Sequence, residues 1–258
     1  MAPAPVTSPR HACRTPVPAV LLSIALAASI RADLIAPEAD TYIDGAAQTT
    51  NFGTSIQLRT KNDAGNFKRK SYIRFNLAAL GFDHVTQLQD AALNLEFFDT
   101  AAGTGGHGIN WEFEVFGLDD GDPDENWLEG GINWQGAPAH SGGNDFLANA
   151  ASLGTFSFTG RTASVSFSGT TGSEVRDFVA ASTSNDLVSF LVRRNTPQDT
   201  SNTYVHAMAS REHTSIDPPE LVLNQIPEPS SLVLLAGALT WLAFHARRRT
   251  GTVVFYDR

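Results

Sequence analysis

An all-β sandwich with one short helix is the fold class that this sequence predicts, and three observations predict it. Between residues 33 and 225, short segments alternate apolar and polar residues with period two. Gly, Asn, Asp, Ser and Pro cluster between those segments, as turns require. Only Ser173 to Ala181 has helical spacing, with Val175, Phe178 and Val179 at i, i+3 and i+4.

The elements follow in chain order. Arg10, His11 and Arg14 precede an apolar run from Val17 to Ile30, and small residues follow it. Residues 1–32 therefore read as a secretory signal peptide, handled by the Sec translocon and signal peptidase and cleaved after Ala28 or Ala32. Cys13 lies inside that leader, so the exported domain is expected to contain no disulfide. Residues 33–225 are long enough for one domain with a sizeable core. Strands are expected at Thr41–Ile43, Tyr72–Phe75, Leu93–Phe97, Trp111–Phe116, Thr155–Phe158, Leu187–Val192, Tyr204–Met208 and Glu220–Leu223. Alternation also sorts faces: Leu93, Leu95 and Phe97 share one side of their strand and Asn94 and Glu96 the other. Trp111, Phe113 and Val115 likewise oppose Glu112 and Glu114, and the apolar sets are assigned to the core.

At the C-terminal end, Pro227-Glu228-Pro229 precedes an apolar run to Phe244 and the cluster Arg247, Arg248 and Arg249. The prolines disfavour helix before the run, and Ser230 or Ser231 can cap the helix after it. From Pro229 to Ala246 a helix would span roughly 27 Å at ~1.5 Å per residue, close to a hydrocarbon core of about 30 Å. A single transmembrane helix is expected, with the arginines cytoplasmic and the sandwich outside. This order resembles the PEP-CTERM sorting signal of Gram-negative envelope proteins, over residues 226–249. The resemblance implies an exosortase-type membrane peptidase as partner, a transient anchor in the inner membrane, and delivery to the envelope or extracellular matrix. The chain departs from that pattern by continuing as a short cytoplasmic tail, residues 250–258.

A second resemblance covers nearly the whole sandwich. It is carried by Ala39-Asp-Thr-Tyr-Ile-Asp44, Asn51-Phe-Gly53, Ser71-Tyr-Ile-Arg-Phe-Asn-Leu77, Ala91-Ala-Leu93, Asn126-Trp-Leu-Glu129, Asn133-Trp134 with Pro138, Ser210-Arg-Glu212 and Pro218-Pro-Glu-Leu-Val222. These segments appear in the order of DNRLRE-type domains, which are similar to carbohydrate-binding modules found beside polysaccharide-degrading enzymes. The resemblance implies a jelly-roll-like β-sandwich and a polysaccharide partner. Asn133 stands where that family commonly has Thr.

Candidate functional residues follow from charge and spacing. Residues 33–225 carry 11 Lys and Arg against 25 Asp and Glu, which argues against a nucleic-acid partner. Lys68, Lys70, Tyr72 and Arg74 fall at alternate positions of one strand, with Arg59, Lys61 and Arg69 nearby. Their cations suit uronate carboxylates, and Tyr72 suits stacking on a sugar ring. That strip predicts binding of an anionic polysaccharide, against a plain structural strand whose Arg74 pairs with a carboxylate. Trp127 and Trp134 are expected to brace the sandwich edge. The acidic run Asp119 to Glu125 lacks the EF-hand spacing and reads as a solvated turn. Asp40 or Asp44 with Glu212 is a candidate metal set, since the first and last strands of a jelly roll can approach one another, and structural calcium would suit their hard oxygens. His84, His107, His140, His206 and His213 are scattered, and neither a G-x-S-x-G elbow nor an H-E-x-x-H pair occurs. The expected function is therefore non-catalytic glycan binding outside the cell. A structural matrix protein is the alternative, and a polysaccharide lyase or hydrolase comes further behind.

Overall fold

The computed structural model describes residues 32–80, 82–225, 237 and 239–242. The leader up to residue 31, Pro227, Glu228, Pro229, Arg247, Arg248, Arg249 and the tail lie outside the described residues. No helix among the described residues is long and apolar enough to cross a membrane.

Eleven strands and two short helices make up residues 32–225: β1 Ala32–Ile35, β2 Ala39–Asp44, β3 Gln57–Thr60, β4 Arg69–Asn76, α1 His84–Gln87, β5 Leu88–Phe98, β6 Asn110–Leu118, β7 Ala150–Thr159, β8 Ala163–Phe167, α2 Glu174–Ala181, β9 Leu187–Arg194, β10 His206–Ala209 and β11 Glu220–Gln225. They form two antiparallel sheets packed face to face, the sandwich that the alternation predicts. The first sheet holds β1, β11, β5, β10, β3 and β8, and the second runs β2-β4-β9-β6-β7. Successive strands cross between the sheets except at β6–β7 and β10–β11, a jelly-roll-like path. Leu93 and Asn94 pair with both β8 and β11, and Phe97 pairs with both β8 and β10. Consequently β8 occupies one edge of β5, while β10 and β11 share the other, interrupted by the excursion at residues 210–219.

Each expected segment overlaps a strand, although Tyr204 and Val205 precede β10 rather than belonging to it. The short strands β1, β3 and β8 and the single turn α1 escaped the alternation. The helix α2 starts after Ser173 and buries Val175 and Val179. Its Phe178 ring fills the space above Gly117, where an added Cβ would stand 2.5 Å from the ring.

The main core lies between the sheets. Ile73 and Phe75 of β4, Leu93, Leu95 and Phe97 of β5, Trp111, Phe113 and Val115 of β6, Val188, Phe190 and Val192 of β9, and Leu221 and Leu223 of β11 are all buried there. A second cluster covers the opposite face of the second sheet. It gathers Ala39, Ile43, Tyr72, Phe116 and Leu191 from the strands with Trp127, Ile132, Trp134 and Ala139 from the long β6–β7 connection. The second sheet is thus covered on both faces at β2, β4 and β9, which accounts for their nearly unbroken burial, while Glu112 of β6 and Thr155 and Ser157 of β7 stay exposed.

Candidate functional site

The basic strip lies under that second cluster. Lys70, Tyr72 and Arg74 share one face of β4, as alternation requires, but the β6–β7 connection covers them, so they are not the accessible face expected from the sequence. Tyr72 is fully buried and its hydroxyl donates to Pro138 O at 3.1 Å. Lys70 Nζ donates to Asp145 O at 2.5 Å and sits 4.3 Å from the Phe146 ring centroid. Burial, with Arg193 adding its charge, pulls the Lys70 ammonium down to about 7. Arg74 donates to Trp127 O and to Asn126 Oδ1 and pairs with Glu38 at 3.2 Å. These three side chains hold the covering loop. Trp127 and Trp134 pack as expected, and the Trp127 indole donates to Ser189 Oγ at 3.0 Å.

The carboxylates converge elsewhere. One oxygen each from Asp40, Glu129 and Glu212 lies within 4.8 Å of the others. Three distant segments supply them: the start of β2, the β6–β7 connection and the excursion after β10. Each is fixed by its own hydrogen bonds. The Asp40 amide donates to Glu129 Oε1 at 2.9 Å, and the Arg211 amide donates to Asp40 Oδ2 at 2.8 Å. Asn51 Nδ2 donates to Glu129 O at 2.6 Å and to Ile132 O at 2.7 Å. Gly53 must lack a side chain, because an added Cβ would stand 2.6 Å from Glu129 Cγ and O. Ser210 Oγ donates to Ser55 O at 2.6 Å and accepts from the Glu212 amide at 3.2 Å. Burial pushes the Asp40 carboxyl up to about 8, the charges of Glu212 and Glu129 add to the rise, and Arg211 opposes it.

Asp44 does not join this set. Its Oδ2 meets Arg69 Nε at 2.7 Å and its Oδ1 accepts from the Ala46 amide at 2.9 Å. Glu129 takes its place, a residue the sequence offered only as part of the Asn126-Trp-Leu-Glu129 segment. Four segments that carry the second resemblance, those containing Asp40, Asn51, Glu129 and Glu212, therefore meet at one point.

A family model described as carbohydrate-binding module family 96 matches residues 32–225, from the first residue of β1 to the last of β11. The chain belongs to that family. No curated protein matches it. A carbohydrate-binding module points to polysaccharide as partner.

Among the described Phe, Tyr and Trp side chains of residues 32–225, Phe67 alone is exposed, at 53%. It stands at the tip of the β3–β4 hairpin, whose stem is closed by the Lys61–Arg69 bridge. Lys61 Nζ lies 5.4 Å from its ring centroid and 3.1 Å from Asp63 Oδ2. Lys68, the one member of the basic strip outside the covered face, is half-buried and donates to Gly65 O at 3.0 Å.

The acidic run Asp119 to Glu125 is not a merely solvated turn. Asp120 accepts from the amides of Thr183 and Ser184, at 3.1 and 3.2 Å. Glu125 is buried and accepts from Asn185 Nδ2 at 2.9 Å and from the Gly121 amide at 3.1 Å. Its acids tie the β6–β7 connection to the loop before β9.

Proposed function

We propose that this module binds an anionic polysaccharide without acting on it, and that the β3–β4 hairpin tip makes the contact. Exposed Phe67 carries the reading. An exposed ring in a cation-bearing loop can stack on the apolar face of a sugar while Lys68 meets its carboxylates, Lys61 being buried and paired with Asp63. Tyr72, buried under Pro138, has no access to that role. Six of the eleven basic residues of the sandwich fall between Arg59 and Arg74, but Lys61, Lys70 and Arg74 are buried and Arg69 is paired with Asp44, so Lys68 is the partly exposed cation beside Phe67.

In the same reading the module works outside the cell. Its leader delivers it to the Sec translocon and signal peptidase, and Pro227-Glu228-Pro229 presents it to an exosortase-type peptidase. Cleavage after Ala28 would leave β1 whole, since that strand starts at Ala32. Calorimetric titration of the full chain with oligoalginate and oligopectate tests the binding. Saturable binding that Phe67→Ala weakens at least tenfold is expected. No binding by the unaltered chain would overturn the reading in favour of a structural matrix protein.

A further inference from the structure

We infer that Asp40, Glu129 and Glu212 hold a calcium ion that clamps the start of β2, the β6–β7 connection and the excursion after β10 to one another. The inference is independent of which surface holds the glycan.

Two observations carry it together. The first is the convergence of the three carboxylates: oxygens bound to one Ca²⁺ at about 2.3–2.6 Å lie at most about 5 Å apart, and these lie within 4.8 Å. The second is an unspent acceptor. Asp40 is only 1% exposed, and its Oδ1, shielded from solvent, has no hydrogen-bond partner. A buried carboxylate oxygen left unpaired is costly, and a bound cation removes the cost. Glu212 Oε2 is likewise shielded and unpartnered.

Protein cations do not fill the role. Arg211 approaches Glu129 Oε1 at 3.7 Å and Glu212 Oε1 at 3.3 Å. It reaches Asp40 through its amide rather than its guanidinium. One guanidinium against three carboxylates leaves a charge of about minus two when all are ionised, which a divalent ion neutralises. Hard oxygen donors without Cys or His select Ca²⁺ or Mg²⁺ over zinc. Three chain-distant segments give an irregular cage, which Ca²⁺ accepts with water or backbone oxygens completing six to eight positions. Mg²⁺ demands a near-ideal octahedron and dehydrates reluctantly.

The consequence is stabilisation of the loops that cover the second sheet. Glu129 lies two residues after Trp127, whose carbonyl Arg74 holds, so an ion on Glu129 restrains the same stretch from its other side.

The test uses the full chain after treatment with EGTA, with Ca²⁺ alone as the probe. Calorimetry is expected to show one Ca²⁺ per chain, with a Kd no weaker than the roughly 10⁻⁴–10⁻³ M of extracellular calcium modules. A hundredfold excess over Kd raises the melting temperature by roughly 5–10 °C, and equimolar Mg²⁺ does not compete. Glu212→Gln and Asp40→Asn each weaken binding at least tenfold, whereas Asp122→Asn, in the acidic turn, leaves it unchanged. Asp40→Asn keeps an acceptor for the Arg211 amide, and Glu212→Gln serves should that variant fail to fold. Absence of saturable binding at about 10 mM Ca²⁺, well above that range, overturns the inference. So does binding that survives both substitutions, or equal competition by Mg²⁺.

Discussion

Along β4 and β9 both faces of the second sheet are buried, yet they are built from different material. Toward the first sheet, β4, β6 and β9 present Phe75, Phe113, Val115, Phe190 and Val192, side chains without polar atoms. Toward the β6–β7 connection the same strands present Lys70, Tyr72, Arg74 and Ser189, each bonded to a backbone or side-chain group of that connection. A sheet can cover a sheet with apolar contacts alone, because each satisfies its own backbone groups in its ladders. An irregular loop cannot. Its free carbonyls, such as those of Trp127, Pro138 and Asp145, need donors when buried, and the strand beneath supplies them through long polar side chains. A basic strip on a strand is therefore as well suited to holding a loop as to binding a ligand.

Emptying the inner face gives the largest effect. We predict that Phe75→Ala or Leu95→Ala costs about 2–5 kcal/mol in urea denaturation, with the whole fold lost cooperatively. The outer face breaks locally. Arg74→Ala leaves Trp127 O, Asn126 Oδ1 and Glu38 without their donor, at a cost of about 1–3 kcal/mol. Hydrogen exchange is expected to speed up in residues 126–147 before it does in β5 or β9. Uniform acceleration across the sandwich would show that the covering loop is an integral part of the core.

Acid separates the faces further. His206 is packed between Trp111, Phe113 and Tyr204, and burial, with Arg194 adding its charge, pulls its imidazole down to about 3. Unfolded, it titrates near 6.5. Between those values the unfolded chain binds a proton that the native chain refuses, so stability is full above about 6.5 and falls as the pH drops through the window. The slope from this residue approaches about 1.4 kcal/mol per pH unit. His140, pulled down to about 4 by burial and Lys70, adds a loss of the same sign on the outer face. Replacing His206 by Gln is expected to flatten the stability profile between pH 6 and 4 by roughly one proton's slope. An unchanged profile would place the acid sensitivity in the carboxylates instead.

Alternation located eight of the eleven strands, missing β1, β3 and β8, and grouped the residues of each face of β4, β5 and β6, because period two is a property of the backbone. Whether a face is covered is not. The cover comes from a segment with no periodicity, and its only trace was the set Trp127, Ile132, Trp134 and Phe146 in a turn-rich stretch. Asp40 and Glu212 were named together on an expected approach of the first and last strands, yet they meet by another route: Asp40 is in β2 and Glu212 is in the excursion after β10, not in a strand. Asp44 was a false partner: four residues along a strand is about 13 Å, too far for one ion. Glu129 was illegible as a ligand, since nothing in its own neighbourhood says where the 31-residue connection from 119 to 149 returns.

The smallest effect on stability is expected where the largest effect on binding lies. Phe67 is exposed and Lys68 bonds only to a loop carbonyl, so Phe67→Ala and Lys68→Ala are predicted to shift stability by no more than about 0.5 kcal/mol, as surface substitutions do. Their effects on ligand should differ. Lys68→Ala removes a partly exposed charge, so it weakens oligoalginate binding most at low salt and little once screening reaches a length of about 8 Å. Phe67→Ala removes a stacking surface, so its loss persists at high salt and extends to neutral sugars. Titrating both variants at two ionic strengths separates charge from stacking. Equal loss for the two at every salt concentration would mean that the hairpin tip merely changes shape, and the contrast between a structural strip and a binding tip would fall.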